Sequence, residues 1–252
     1  MVFREAITYF LDELLHVSKV HDAAQNGLQV EGRQMVKKIA FGVSASEQLF
    51  LAAAKAQADM VIVHHGLFWN EGIRVTGPMK KRLTPLFAAD ISLLAYHLPL
   101  DKHPVHGNNA RLLHAIGAKN LAPFGAYKGE LIGFSGKLPR PQPVREIAAK
   151  LEAFCGAPSL ALFNFGNEKV DSVAAVSGGG GEFMAEAVAA STGLFITGEA
   201  PEPAQEYCRE SGLNYLALGH YNSEKAGVQS LQELLKKKFA VETVFIDCPN
   251  RF

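Results

Sequence analysis

Three short segments carry histidine and carboxylate side chains at spacings that suit a divalent cation: His64-His65-Gly66, His97 followed four residues on by Asp101, and His220 followed four residues on by Glu224. Imidazole and carboxylate together form a ligand set acceptable to zinc, manganese and iron, and paired ions need a carboxylate able to bridge them. Neighbouring residues on a strand point to opposite faces, so His64 and His65 are better placed to serve one ion each than to chelate one together. The set His64, His65, Asp101, His220 and Glu224 suits two ions with positions left open for water better than one closed structural site. Each histidine taken alone has a plainer reading as a strand-end cap or interface residue. His97 shares the spacing to an acid and has two readings: an acid/base group or partner of a ligand, or a buried hydrogen-bonded histidine.

Apolar periodicity indicates the elements that must hold these groups in place. Phe3, Ile7, Phe10, Leu11, Leu14 and Leu15 form one stripe and predict a helix over Phe3–Leu15. Gln25–Val30 reads as a turn into a short strand. Lys38–Val43 reads as a strand, followed by a helix to about Ala58 with Ser44 as N-cap and Glu47 completing a capping box. The strand Met60–Val63 then ends in the histidine doublet, and Ile91–Ala95 delivers Tyr96 and His97. Such a strand-helix-strand plan places side chains beyond the C-terminal ends of a sheet, where open α/β proteins gather their ligands. Asn108–Ile116 reads as a helix.

The second half repeats the plan. Strand Ser172–Val176, a glycine turn, helix Glu182–Ala190, strand Leu194–Thr197, helix Gln205–Glu210 and strand Tyr215–Leu218 lead to Gly219-His220. Lys38–Val43 matches Ser172–Val176, Met60–Val63 matches Leu194–Thr197, and the segment ending in His97 matches the one ending in His220, so an internal repeat is the economical explanation. Thr197 and Glu199 sit where the repeat places His64 and His65, there to position polar groups of a substrate or to cap the strand. The stretch around Pro123, Gly125 and Gly129 marks the boundary, giving halves 1–125 and 126–252, with the C-terminal segment expected to pack back on the first half. The run Ser177–Gly181 precedes a helix and could cradle an anion, but it lacks the Lys-Ser/Thr of a P-loop and the GxGxxG fingerprint; a tight turn explains it as well. His103 and His106, in a Pro- and Gly-marked loop directly after Asp101, read either as residues lining the mouth of the site or as ordinary loop histidines, and His16, His21 and His114 are weaker candidates.

The 252 residues carry 25 basic and 25 acidic side chains, with 48% hydrophobic residues. Balanced charge and ample apolar content exclude a mainly disordered chain and remove the field that a strongly basic nucleic-acid binder would need. Apolar runs fall far below the roughly 18 residues that span a bilayer. The three cysteines, Cys155, Cys208 and Cys248, form no CxxC pair, which points to a reducing, cytoplasmic setting. Neither a nucleophile elbow nor a supported Cys-His pair is present, so a metal-activated water is the favoured reactant over a covalent nucleophile.

Several segments together carry a resemblance: Asn26-Gly27-Leu28-Gln29-Val30-Glu31-Gly32, Val61-Ile62-Val63-His64-His65-Gly66, Tyr96-His97-Leu98-Pro99-Leu100-Asp101, Gly107-Asn108-Asn109, Ser177-Gly178-Gly179-Gly180, Ile196-Thr197-Gly198-Glu199, Gly219-His220-Tyr221-Asn222-Ser223-Glu224 and Phe245-Ile246-Asp247. The chain resembles bacterial members of the NGG-interacting-factor-three-like family, also labelled GTP cyclohydrolase type 2 homologues, over nearly its whole length. That resemblance implies an α/β fold of two intertwined, repeat-related domains around a central metal cleft. It implies two divalent metal ions (zinc, manganese or iron), one served by His65, Asp101 and Glu224, the other by His64 and His220, with Glu224 bridging. It also implies a homo-oligomer, a toroidal hexamer built as a trimer of dimers. The label implies opening of the guanine ring of GTP with loss of formate, and His97 is the residue expected to move protons. Nucleotide and phosphoester substrates, hence phosphoesterase or nuclease activity, are the enzymatic rivals; a non-catalytic metal-binding regulatory or metal-delivery protein is the alternative. Many relatives place Asp directly before the residue equivalent to Asn26, where this chain has Gln25.

Overall fold

The computed structural model describes residues 1–70 and 72–250. The first elements are β1 (Val2–Phe3), α1 (Arg4–Leu14), β2 (Gly27–Val30), β3 (Met35–Val36), β4 (Lys38–Ser44), α2 (Glu47–Lys55), β5 (Met60–His65), α3 (Gly77–Ala89), β6 (Ser92–Ala95) and α4 (Leu98–Asp101). Then come α5 (Asn108–Ala115), β7 (Lys119–Tyr127), β8 (Glu130–Pro143), α6 (Val144–Cys155), β9 (Ala161–Asn164), β10 (Lys169–Val176), α7 (Met184–Ala189), β11 (Leu194–Thr197), α8 (Ala204–Ser211), β12 (Asn214–Ala217) and α9 (His220–Ser223). The last pair is α10 (Lys225–Phe239) and β13 (Glu242–Phe245). Among the described residues no helix is long and apolar enough to cross a membrane.

The chain divides into two compact units. Unit 1 comprises Met1–Leu100 together with Gly227–Cys248, and Asp101–Ala226 forms the body of unit 2. The composition break near Gly125 suggested a cut there, whereas the contacts divide the chain between Leu100 and Asp101. The segment beyond Asp101 goes with unit 2 because α5 packs on β8 and β10, burying Ala110, Leu112, Leu113 and Ile116. Likewise, β13 runs parallel to β4 at the edge of the unit 1 sheet.

In unit 1 the five-stranded order is β13-β4-β5-β6-β2, with β4, β5 and β6 parallel and β2 antiparallel to β6. Continuous apolar runs suit strands covered on both faces, and Val61, Ile62 and Val63 are fully buried. Helix α2 packs Leu49, Phe50 and Ala53 onto this sheet, each larger side chain contributing roughly 1.5–3 kcal/mol of burial. Its N-cap is Ser46, whose Oγ accepts from the Leu49 N–H, and not Ser44 as the sequence spacing suggests. Strand β4 runs on through Ser44, which leaves that hydroxyl for another task. In unit 2 the order is β7-β8-β10-β11-β12-β9, with β10, β11 and β12 parallel and β9 antiparallel to β12. Both units therefore use the same core: three parallel strands followed by one antiparallel edge strand beside the third. The long hairpin β7–β8 is where they part, since β8 is antiparallel to β10.

Candidate functional site

Strand β5 carries His64 and His65 at its C-terminal end, and the chain leaving β6 carries His97. Within unit 1 the three come together, one ring nitrogen of each lying within 4.8 Å of the others. The ring centroids are 4.6 Å apart for His64 and His65, and 5.1 Å apart for His64 and His97. His64 is fully buried. Its Nδ1 lies 2.9 Å from the Tyr96 carbonyl oxygen; a carbonyl only accepts, so Nδ1 carries the proton of this contact, and in the neutral ring Nε2 holds the lone pair. His65 Nδ1 is 3.0 Å from Ser44 Oγ, the hydroxyl that does not cap α2. His97 Nδ1 is 3.1 Å from each Asp22 carboxylate oxygen. Indole and imidazole meet edge to face at Trp69 and His97, 5.0 Å between centroids.

Asp22 is the residue that sequence reasoning missed. Its carboxylate accepts from the N–H groups of Ala24 and Leu98, from Asn26 Nδ2 and from His97. Asn26 Oδ1 in turn accepts the His97 N–H at 2.7 Å. Burial pushes the Asp22 carboxyl upward, but the hydrogen bond and charge of His97, with the Asn26 and Ala24 donors, outweigh it and hold the group well below the usual carboxylate range. The signal the sequence offers is the four-residue spacing of Asp22 to Asn26, the first residue of the Asn26–Gly32 segment. Gln29 provides a second support, its Oε1 accepting the Leu67 N–H at 2.7 Å and so holding the segment that follows the doublet.

Unit 2 assembles carboxylates. Asp101, assigned to the first half by the sequence reading, lies here: Asn108 Nδ2 donates to its Oδ1 at 2.9 Å, and Ser177 Oγ donates to the same oxygen at 3.4 Å. Asn109 fixes the turn beside it, accepting the Ser177 N–H at 2.6 Å and donating to the Ile132 carbonyl. Glu224 is buried, and its Oε2 lies 3.3 Å from His220 Nε2. Glu199 Oε1 takes the other ring nitrogen, Nδ1, at 2.6 Å. The hydrogen bond and charge of Glu224, helped by Glu199, outweigh burial and push His220 up to about 9.

The glycine run now has a physical reason. Gly178 has φ of +60°, and a Cβ there would stand 2.2 Å from Glu224 Oε1 and 2.9 Å from His220 Nε2. Only a bare backbone fits so close to a carboxylate in that conformation. The Ser177 and Gly178 N–H groups donate to Asn109 and Ser223, and the Gly178 carbonyl accepts from the N–H groups of Gly198 and Glu199. The first part of the run is thus a turn locked to its neighbours, in place of an anion cradle. His103 is used locally, its Nδ1 accepting from Val105 and His106 N–H groups.

Donor chemistry fits a divalent cation: histidines whose Nδ1 is held by a protein partner, and an acid such as Asp101 steadied by amide and hydroxyl donors, are how metal ligands are oriented. Fold and side chains together define a two-unit, repeated α/β protein with His and Glu groups able to hold a metal ion. The chain belongs to the Duf34/NIF3 (NGG1p interacting factor 3) family, whose sequence profile matches residues 2–251. A relative from Archaeoglobus fulgidus named GTP cyclohydrolase 1 type 2 homolog is 47% identical over 97% of this chain and 97% of its own length. A Pseudomonas aeruginosa relative of the same name is 40% identical, covering 95% of this chain and 94% of its own. The solved structure of protein ybgI, described as of unknown function, superposes with a TM-score of 0.92 at 38% identity over 100% of both chains.

Proposed function

We propose that this protein is a dinuclear metal-dependent hydrolase-like protein acting on a nucleotide or phosphoester through an activated water, with GTP ring opening as the named candidate. The observation that carries the reading is the gathering of His64, His65 and His97 ring nitrogens within 4.8 Å in unit 1, with His64 Nδ1 on the Tyr96 carbonyl and His97 Nδ1 on Asp22. His64 and His65 offer imidazole nitrogens, while Asp101, His220 and Glu224 offer the donors of unit 2. Bound zinc, manganese or iron would supply Lewis acidity and lower the pKa of a coordinated water. His97, its Nδ1 proton kept by Asp22, accepts or gives a proton at Nε2, the arrangement of an oriented general acid/base. The names of the relatives support guanine-ring hydrolysis. The toroidal hexamer belongs to the same proposal and is checked by light scattering of the intact protein.

Metal content by mass spectrometry of protein purified without added metal, read beside Glu224→Ala, tests the reading. The expected result is about two ions per chain, strongly reduced in the variant. Failure to retain ions after supplementation with zinc, manganese or iron would overturn it. Two ions per chain with no turnover of nucleotides or phosphoesters would favour the metal-binding regulatory or delivery role.

A further inference from the structure

His220 is held between two acids, Glu224 Oε2 at 3.3 Å on Nε2 and Glu199 Oε1 at 2.6 Å on Nδ1. A carboxylate only accepts, so the 2.6 Å contact places a proton on Nδ1, between His220 and Glu199. Nε2 is the ring nitrogen that faces Glu224, and it is the one a cation would take while Nδ1–H stays with Glu199.

Glu199 is built for that task by its backbone. Its N–H donates to the Gly178 carbonyl at 3.0 Å, and its own carbonyl accepts the buried Tyr215 hydroxyl at 2.6 Å. Gly198, one residue earlier, donates to the same Gly178 oxygen at 3.0 Å. These bonds fix the main chain on both sides of a side chain that is itself about half exposed, 48%. The same carboxylate borders a cavity of about 510 Å³ shared with Leu160, Ala161 and Ala200, so no packed side chain takes over its place if it is shortened.

We propose that Glu199 is a positioning residue, which keeps His220 in the Nδ1–H form and aims its Nε2 at a divalent cation. This rests on the metal reading above and extends it to a residue outside the expected ligand set. Carboxylate partners of metal-bound histidines raise ligand basicity and fix ring orientation, and their loss costs about 10–100-fold in metal affinity.

Zinc affinity measured by competition with a chromophoric chelator, on the full chain, tests the proposal in wild type, Glu199→Ala, Glu199→Gln and Glu202→Ala. Thermal unfolding of each metal-free protein checks that the fold persists. Glu199→Ala is expected to bind zinc about 10–100-fold more weakly, while Glu202→Ala, which removes the same charge nearby, stays within about twofold. Glutamine keeps an oxygen that accepts from Nδ1–H, so Glu199→Gln is expected to recover at least half of the logarithmic loss. Glu199→Ala within twofold of wild type, or Glu202→Ala as weak as Glu199→Ala, overturns the proposal. Glutamine as weak as alanine also overturns it, since charge alone would then be acting. Wild-type protein that takes up neither zinc, manganese nor iron overturns the metal reading itself, whereas tight wild-type binding unaffected by Glu199→Ala overturns only this proposal.

Discussion

Units 1 and 2 place side chains at the same points of a shared three-strand core and fill them with different chemistry. A serine at the C-terminal end of the first parallel strand, the last residue of β4 and the residue after β10, touches a candidate ligand in each: Ser44 Oγ meets His65, and Ser177 Oγ meets Asp101. The histidine following the third strand has its Nδ1 on a carboxylate in each, His97 on Asp22 and His220 on Glu199. Those carboxylates come from unrelated places. Asp22 precedes β2 and its side chain is 3% exposed, whereas Glu199 follows β11 and is 48% exposed. Unit 1 gathers imidazoles, which tolerate burial when neutral; unit 2 gathers anions around one imidazole, with a glycine turn leaving them room. Repetition has preserved the positions while each unit has found its own means of holding them.

The largest test of that contrast is Asp22→Ala against Glu199→Ala in urea unfolding of the metal-free protein. Removing Asp22 strips the acceptor from several buried donors, with an expected loss of about 3–5 kcal/mol. Removing the half-exposed Glu199 is expected to cost no more than about 1 kcal/mol. Equal losses would erase the distinction between a buried and a solvated support. The pH dependence sharpens it further. Because Asp22 is held below its ordinary range in the folded protein, its contribution is complete above that ordinary range and is lost as pH falls through it and beyond. Stability of wild type should therefore fall on the acid side with a steeper slope than that of Asp22→Ala, and parallel slopes would refute this.

Gly178→Ala follows in size. The φ of +60° alone predicts a loss of about 1–2 kcal/mol, and the new methyl must push the Glu224 carboxylate aside. Zinc retention should fall by at least about tenfold, with thermal unfolding reporting the smaller stability loss. An alanine variant as stable and as retentive as wild type would show that the turn has no need of glycine.

The smallest effect separates the units by thiol chemistry. Burial pushes Cys155 and Cys208 of unit 2 up to about 11, and both side chains lie inside. Cys248 of unit 1 is half-buried, so a thiol-reactive dye should label it first in native protein. Labelling of all three at one rate would contradict the packing of unit 2.

Strands β4, β5, β10, β11 and β12 were legible in sequence because unbroken apolar runs bounded by glycine, serine or histidine leave little choice of conformation. The histidines at the end of β5 and just beyond β6 come together for the same reason, since a strand end fixes where the next side chain lies. The β7–β8 hairpin was not legible. Its Gly133, Gly136, Pro139, Pro141 and Pro143 give no strand pattern, yet Gly133 lets the Ala175 carbonyl approach to where a Cβ would lie 2.4 Å away. Tertiary pairing decided what local composition could not. Asp22 and Glu199 were harder still: each acts through a histidine far away in sequence, and no spacing rule connects such a pair.

The path of the chain sets a timetable. Strand β13, which pairs with β4, is separated from the Met1–Leu100 part of unit 1 by the whole of Asp101–Ala226. During synthesis at about 5–20 residues per second, the outer side of β4 stays uncovered for roughly 7–30 s after β6 emerges, long enough for the contiguous unit 2 to complete its own sheet. An uncovered edge of this kind is where a nascent chain is most exposed to wrong pairing. Among the described residues, β13 thus closes an edge of the sheet that β2 opened more than two hundred residues earlier.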